Sequence, residues 1–173
     1  LRGAVARVVG GTTVINSGTC FRTPSTIIDR WVKDLGLESF TEETLTPLFE
    51  RVEKHINVEA SQYEVMGKSN IIVRDLLTKR GLKSTPLMRN IKNCEGCGFC
   101  CYGCPSGAKQ STDLSYIPKA VKAGAQLFVR HKVEHLLFSG KKIRGVVARI
   151  MTPNMRGTSK KVTFTADRVI IAM

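Results

Sequence analysis

The sequence predicts a mixed α/β chain: several helices, followed by an antiparallel three-stranded meander. Three observations carry this. Helical apolar stripes recur between residues 39 and 124. From Gln126 the pattern changes to β-branched residues separated by turn chemistry. The chain of 173 residues with 42% apolar content is long and apolar enough to bury a core.

The opening stretch ARVVGGTTVINSGTCFRTP passes from small apolar residues into paired glycines and hydroxyls. Gly10 and Gly11 permit backbone conformations and close approaches that other residues block, so extended chain and a tight turn are expected there. SFTEETLTPLFERVEKHINV reads as a helix. Thr46 is the expected cap, Pro47 the first helical residue, and Leu48, Phe49, Val52 and Ile56 the apolar stripe. A further helix is expected from Asn70 to Arg80, with Ile71, Ile72, Leu76 and Leu77 on one face and Gly81 as the stop. In STDLSYIPKAVKAGAQ, Ser111 or Thr112 caps a helix that ends at Gly124 and loses a backbone bond at Pro118.

QLFVRHKVEHLLFSGKKIRGVVARIMTP predicts two strands joined at a Ser-Gly-Lys turn. NMRGTS is a second turn and KVTFTA a third strand. RVIIAM resembles a strand buried on both faces, returning parallel to a core sheet. A chain that begins at Leu1 and stops within such a run reads as a piece of a longer polypeptide.

The net charge of +13 favours anionic surroundings, but the basic residues are scattered and aromatics are only 6%, so a nucleic-acid partner is not expected. No uncharged apolar run reaches spanning length. The expected location is cytoplasmic or membrane-peripheral. His55, His131 and His135 have charged neighbours and are expected at the surface.

Five of six cysteines fall between Cys94 and Cys104. Cys94, Cys97, Cys100 and Cys104 follow C-x2-C-x2-C-x3-C-P, a ferredoxin-like run that wraps an iron-sulfur cluster. Cys101 adds a thiol, so Cys100, Cys101 and Cys104 offer a smaller ligand set. Four thiolates also suit zinc. The alternative is a Gly-rich loop of reduced or partly disulfide-bonded cysteines.

GGTTVINSGTCFRTP resembles the flavin-contacting segment of the glucose-methanol-choline family of FAD-dependent oxidoreductases. GCPSGAKQSTDLSYIPKAVKAGAQLFVRHKVEHLLFSGKKIRGVVA resembles the segment that follows it in that family. The resemblance implies part of a Rossmann-like FAD-binding domain, with 18–90 as a cap on the substrate side and 91–112 as a cysteine-rich loop. It implies FAD near Gly10, Gly11, Thr12 and Thr13, with Asn16 beside the flavin ring and Val133 against the adenine.

The same resemblance places the dinucleotide fingerprint and the catalytic base outside this chain, and leaves the isolated piece inactive. It implies hydride transfer from an alcohol to flavin, then onward to oxygen, a quinone or a protein. The paired cysteines resemble the long-chain alcohol oxidase branch more than the cluster-bearing sugar dehydrogenases.

Overall fold

The computed structural model describes residues 6–172. Its elements divide into two units, Leu1–Ala125 and Gln126–Met173.

The first unit carries four helices, α1 Ser25–Leu35, α2 Glu42–His55, α3 Lys68–Lys79 and α4 Tyr116–Lys122, and two short strands, β1 Val58–Ala60 and β2 Met88–Asn90. β1 and β2 pair antiparallel, Val58 opposite Asn90 and Ala60 opposite Met88. Residues 88–92 gather three segments by backbone hydrogen bonds. β1 is one; the second is the 18–20 segment, through Cys20 N to Met88 O (2.9 Å) and Asn90 N to Gly18 O (3.1 Å). The third is 108–110, through Lys92 N to Ala108 O and Gln110 N to Asn90 O, both 2.8 Å. Every backbone donor in this small core needs such a partner, which is why an irregular chain can be buried there. Ile28, Ile91 and Ala108 are its fully buried apolar residues among those described.

α2 starts a turn earlier than the sequence suggests. Thr41, not Thr46, is its N-cap: Thr41 and Thr44 form a capping box, the Thr44 amide donating to Thr41 Oγ1 at 3.2 Å and the Thr41 amide to Thr44 Oγ1 at 3.0 Å. Glu42 and Glu43 occupy the first turn, where the helix dipole favours acids. Pro47 therefore lies inside the helix, and the Thr46 hydroxyl bonds back to Glu42 O at 2.7 Å. α3 spans the expected stripe and stops before Gly81, whose φ of 71° is left-handed.

α4 is shorter than expected because the Thr112 hydroxyl is spent elsewhere, on the glycine segment, and only a turn precedes Tyr116. α1 was not foreseen, although Ile27, Ile28 and Trp31 recur at helical spacing and Gly36 (φ 66°) ends it.

The second unit is the meander: β3 His131–Ser139, β4 Lys142–Met151 and β5 Gly157–Thr165, in the order β3-β4-β5 and antiparallel throughout. Gly140, with φ 60°, and Lys141 make the two-residue turn between β3 and β4. β3 bulges between Val133 and His135, leaving Glu134 as the extra residue. Its carboxylate forks across the sheet to Arg149 Nε (2.6 Å) and Lys161 Nζ (3.0 Å).

Gly145 stands where a Cβ would lie 2.1 Å from Phe164 O, so β4 and β5 approach over a position with no side chain. Of RVIIAM, residues 168–172 do not form the expected core strand, and Met173 lies outside the described residues. Residues 168–172 are irregular and Ile170 is 91% exposed, since no described strand offers it a ladder partner.

Two histidine expectations also need correcting. His131 is half-buried against the rings of Phe128 and Phe164, and His55 stacks on Tyr116 with centroids 4.5 Å apart; His135 is exposed.

Candidate functional site

The paired glycines build a clasp with the start of the 111–115 turn. Gly10 has φ 91°, and a Cβ there would meet Val14 Cγ2 at 2.9 Å and the Asp113 amide nitrogen at 3.0 Å. Only glycine fits without strain. Gly11–Val14 then winds into a single 310 turn. The Gly10 carbonyl accepts from the Thr13 hydroxyl and lies 2.9 Å from the Thr112 hydroxyl; the Thr112 amide donates to Thr13 Oγ1 at 3.1 Å. The Thr13 hydroxyl thus holds protein to protein. Gly11 differs: nothing lies within 4 Å of where its Cβ would stand, and neighbouring Thr12 is exposed.

Lys109 ties this clasp to the cysteine loop. It is 1% exposed, and its ammonium donates to three backbone carbonyls: Asn16 O (2.6 Å), Val14 O (2.8 Å) and Cys100 O (2.8 Å). Burial pulls the Lys109 ammonium below its ordinary range, while Cys100, Cys104 and Cys101 oppose that shift. Asn16 turns its carboxamide oxygen to the Gly18 amide at 3.0 Å. Neither Lys109 nor Arg89, which bonds to Ser17 O and Cys100 Sγ, was singled out from sequence, because a lysine in PSGAKQST carries no sign of burial.

The cysteine residues do not converge. Cys100 Sγ accepts from Arg89 Nη2 at 2.9 Å. Cys104 Sγ receives the Lys109 amide at 3.4 Å and lies 3.5 Å from the Ser106 hydroxyl. Cys97 and Cys101 are exposed, and all six thiols are free. Among the described residues, no three of His, Cys, Asp or Glu are placed to hold a metal ion. This overturns the iron-sulfur expectation for Cys94, Cys97, Cys100, Cys101 and Cys104, and zinc with it: the spacing is ferredoxin-like, but each sulfur with a described bond serves a different protein donor. Cys20 is a separate case. Its thiol is pushed up by burial and faces Gly18 O at 3.6 Å.

A cavity of about 660 Å3 opens between α3, the 310 turn Tyr63–Val65, the 84–91 segment and the cysteine loop. Tyr63, Val65, Met66, Val73, Leu77 and Leu87 supply its apolar wall, and Ser17 and Thr19 bring the end of the glycine segment to it. Its size is that of a small-molecule site. Val133 belongs to the second unit, on β3 opposite Ala148, and its side chain is 53% exposed.

A mixed α/β chain in which a glycine-hydroxyl segment and a cavity share one unit fits an oxidoreductase. Residues 3–173 match the family model described as GMC oxidoreductase, and the chain belongs to that family. It is 33% identical to an uncharacterised GMC-type oxidoreductase of Mycobacterium tuberculosis, over 97% of this chain and 26% of the relative. It is 31% identical to one from Sinorhizobium fredii, over 92% of this chain and 31% of the relative. It is also 31% identical to a long-chain-alcohol oxidase of Arabidopsis thaliana, over 95% of this chain and 23% of the relative. The chain thus spans about a quarter of the length of the Mycobacterium and Arabidopsis relatives. No helix among the described residues is long and apolar enough to cross a membrane.

Proposed function

We propose that the protein carrying this chain oxidises the CH–OH group of a long-chain alcohol, with FAD as its cofactor. Bound FAD would supply the acceptor for a hydride leaving the alcohol carbon. The residues present suit that cofactor at one point in particular. Beside the Gly11 Cβ position there is open space, so a diphosphate can approach the backbone of Gly11 and Thr12 without meeting a side chain.

Gly10 and Thr13 hold that turn in shape through the clasp to Thr112. Asn16 stands at the end of the same segment, anchored by Gly18 and held near Lys109, and is the residue assigned to the flavin ring. Val133 is assigned to the adenine, through backbone. Residues 18–90 serve as the substrate-side cap. The proton-abstracting base is assigned to no residue of this chain, and the electrons pass finally to oxygen, a quinone or a protein.

The observation that carries the reading is the apolar cavity beside the glycine segment. It gives the alkyl part of the substrate a place to be buried. Each buried methylene stabilises by about 0.8 kcal/mol, which is roughly fourfold in kcat/KM at each added carbon. The full-length protein, purified with its flavin and assayed on 1-alkanols of increasing length, should show that climb until the cavity is filled. A flat or falling series would remove the long-chain reading, and purification without any flavin would remove the cofactor assignment.

A further inference from the structure

The cysteine wall of the cavity is left unused by alcohol oxidation. Cys94, Cys97, Cys100, Cys101 and Cys104 all line the same cavity of about 660 Å3. They are not equivalent. Cys97 and Cys101 are the exposed ones, and Cys100 is engaged by Arg89.

Cys104 sits inside the return of its own loop. The Lys109 amide donates to its sulfur at 3.4 Å and the Ser106 hydroxyl lies 3.5 Å from it. Gly103 and Gly107, with φ 83° and 68°, allow the chain to close around it. Donors gathered on one sulfur favour its anion, the thiolate. Burial pushes the Cys104 thiol up, but the hydroxyl and the amides outweigh it and bring the thiol below its ordinary range.

The charged side chains lining the cavity are Arg74, Arg89 and Lys109, and Cys94, Cys97, Cys100 and Cys101 are the other thiols. Arg89 Nε is buried with no hydrogen-bond partner among the described residues, so a donor remains unused in a side chain of the cavity wall.

We propose that Cys104 is a thiol-modification site that reacts with small anionic disulfides entering the cavity. The Cys104 thiolate attacks one sulfur of R–S–S–R. A Cys104–S–S–R bond forms, the original S–S bond breaks, and the displaced R–S⁻ leaves and takes a proton from water. The disulfide is the oxidant: the Cys104 sulfur is oxidised and the departing sulfur reduced. Arg89 gives the wall the sign that suits the carboxylates of such a reagent, and the adduct then fills the cavity. This site rests on the loop and the cavity and stands independently of the alcohol reading.

The test uses the full-length protein with oxidised glutathione at pH 6.5, the adduct being located by fragment mass spectrometry. Cys104 should react faster than Cys97 or Cys101 despite their greater exposure, because the donors of its own loop favour its thiolate. Ser106→Ala should slow Cys104 and leave Cys97 unchanged. At low salt, oxidised glutathione should outpace the uncharged bis(2-hydroxyethyl) disulfide, and Arg89→Gln should narrow that gap. Modification of Cys97 or Cys101 ahead of Cys104, an unmodified loop, or equal rates with the two disulfides would each overturn the proposal.

Discussion

The two units are held together in opposite ways. In the first, the fully buried residues include Asn90, Lys109, Ser111 and Ser115 beside Ile28, Ile91 and Ala108. In the second, those described are Gly145, Ala148 and Met151, and the order comes from a ladder across three strands. A ladder satisfies its backbone groups by repetition. The first unit satisfies them one at a time, through side chains that each serve several partners, so the loss of a single group there is felt across distant segments.

The largest expected effect is therefore at Lys109. Lys109→Met leaves Val14 O, Asn16 O and Cys100 O without their shared donor. It should cost about 3 kcal/mol, since each buried carbonyl left alone costs roughly 1–3 kcal/mol and part is recovered by removing a desolvated charge. Amide hydrogen exchange should rise in 10–18 and 100–110 and stay unchanged in β3, β4 and β5. Equal loosening of the meander would break the contrast between the units.

Gly145→Ala probes the other mode. A methyl group directed at Phe164 O must push β5 away, and the cost should be about 2 kcal/mol. Exchange should rise along 157–165, with the first unit unaffected. Unchanged protection there would mean that the ladder is not what orders the second unit.

The smallest effect concerns Glu134. The hydrogen bond from Arg149, then that from Lys161, hold its carboxyl down at about 2, against an ordinary 4.5. A depressed folded-state value means stability that is present above the ordinary carboxylate range and is lost as pH falls towards 2. Thermal unfolding followed from pH 6 to pH 2 should show a small acid-sensitive component that Glu134→Gln abolishes. High salt should shrink it as well, since the cluster is solvent-screened. An unchanged pH profile in the variant would assign the acid sensitivity to other groups.

How legible each part was follows from its physics. The meander was readable because period-two patterning and turn chemistry are local, and Gly140 marks its hairpin plainly. Of the four helices, α2, α3 and α4 were readable, with the start of α2 misplaced where caps compete, and α1 was missed. Thr46-Pro47 imitates a start, but Thr41 and Thr44 form the reciprocal pair that makes one.

The site was legible only where backbone geometry constrains residue type, as at Gly10. Lys109 and Arg89 carry no local pattern, for their partners lie far away in sequence. The cysteines misled for a related reason. Spacing sets which sulfurs can meet, whereas the donors around each sulfur decide whether they do. The β1–β2 ribbon, three residues per strand, is shorter than any periodicity can reveal.

The Thr13–Thr112 contact joins positions 99 apart in the chain. On a ribosome that gap is time. At about 5–20 residues per second, the glycine segment emerges roughly 5–20 s before the residues that give it its shape. It cannot template its own turn, since two adjacent glycines leave it conformationally free until then. The turn of the glycine segment is thus set only when residues 109–113 arrive to close it.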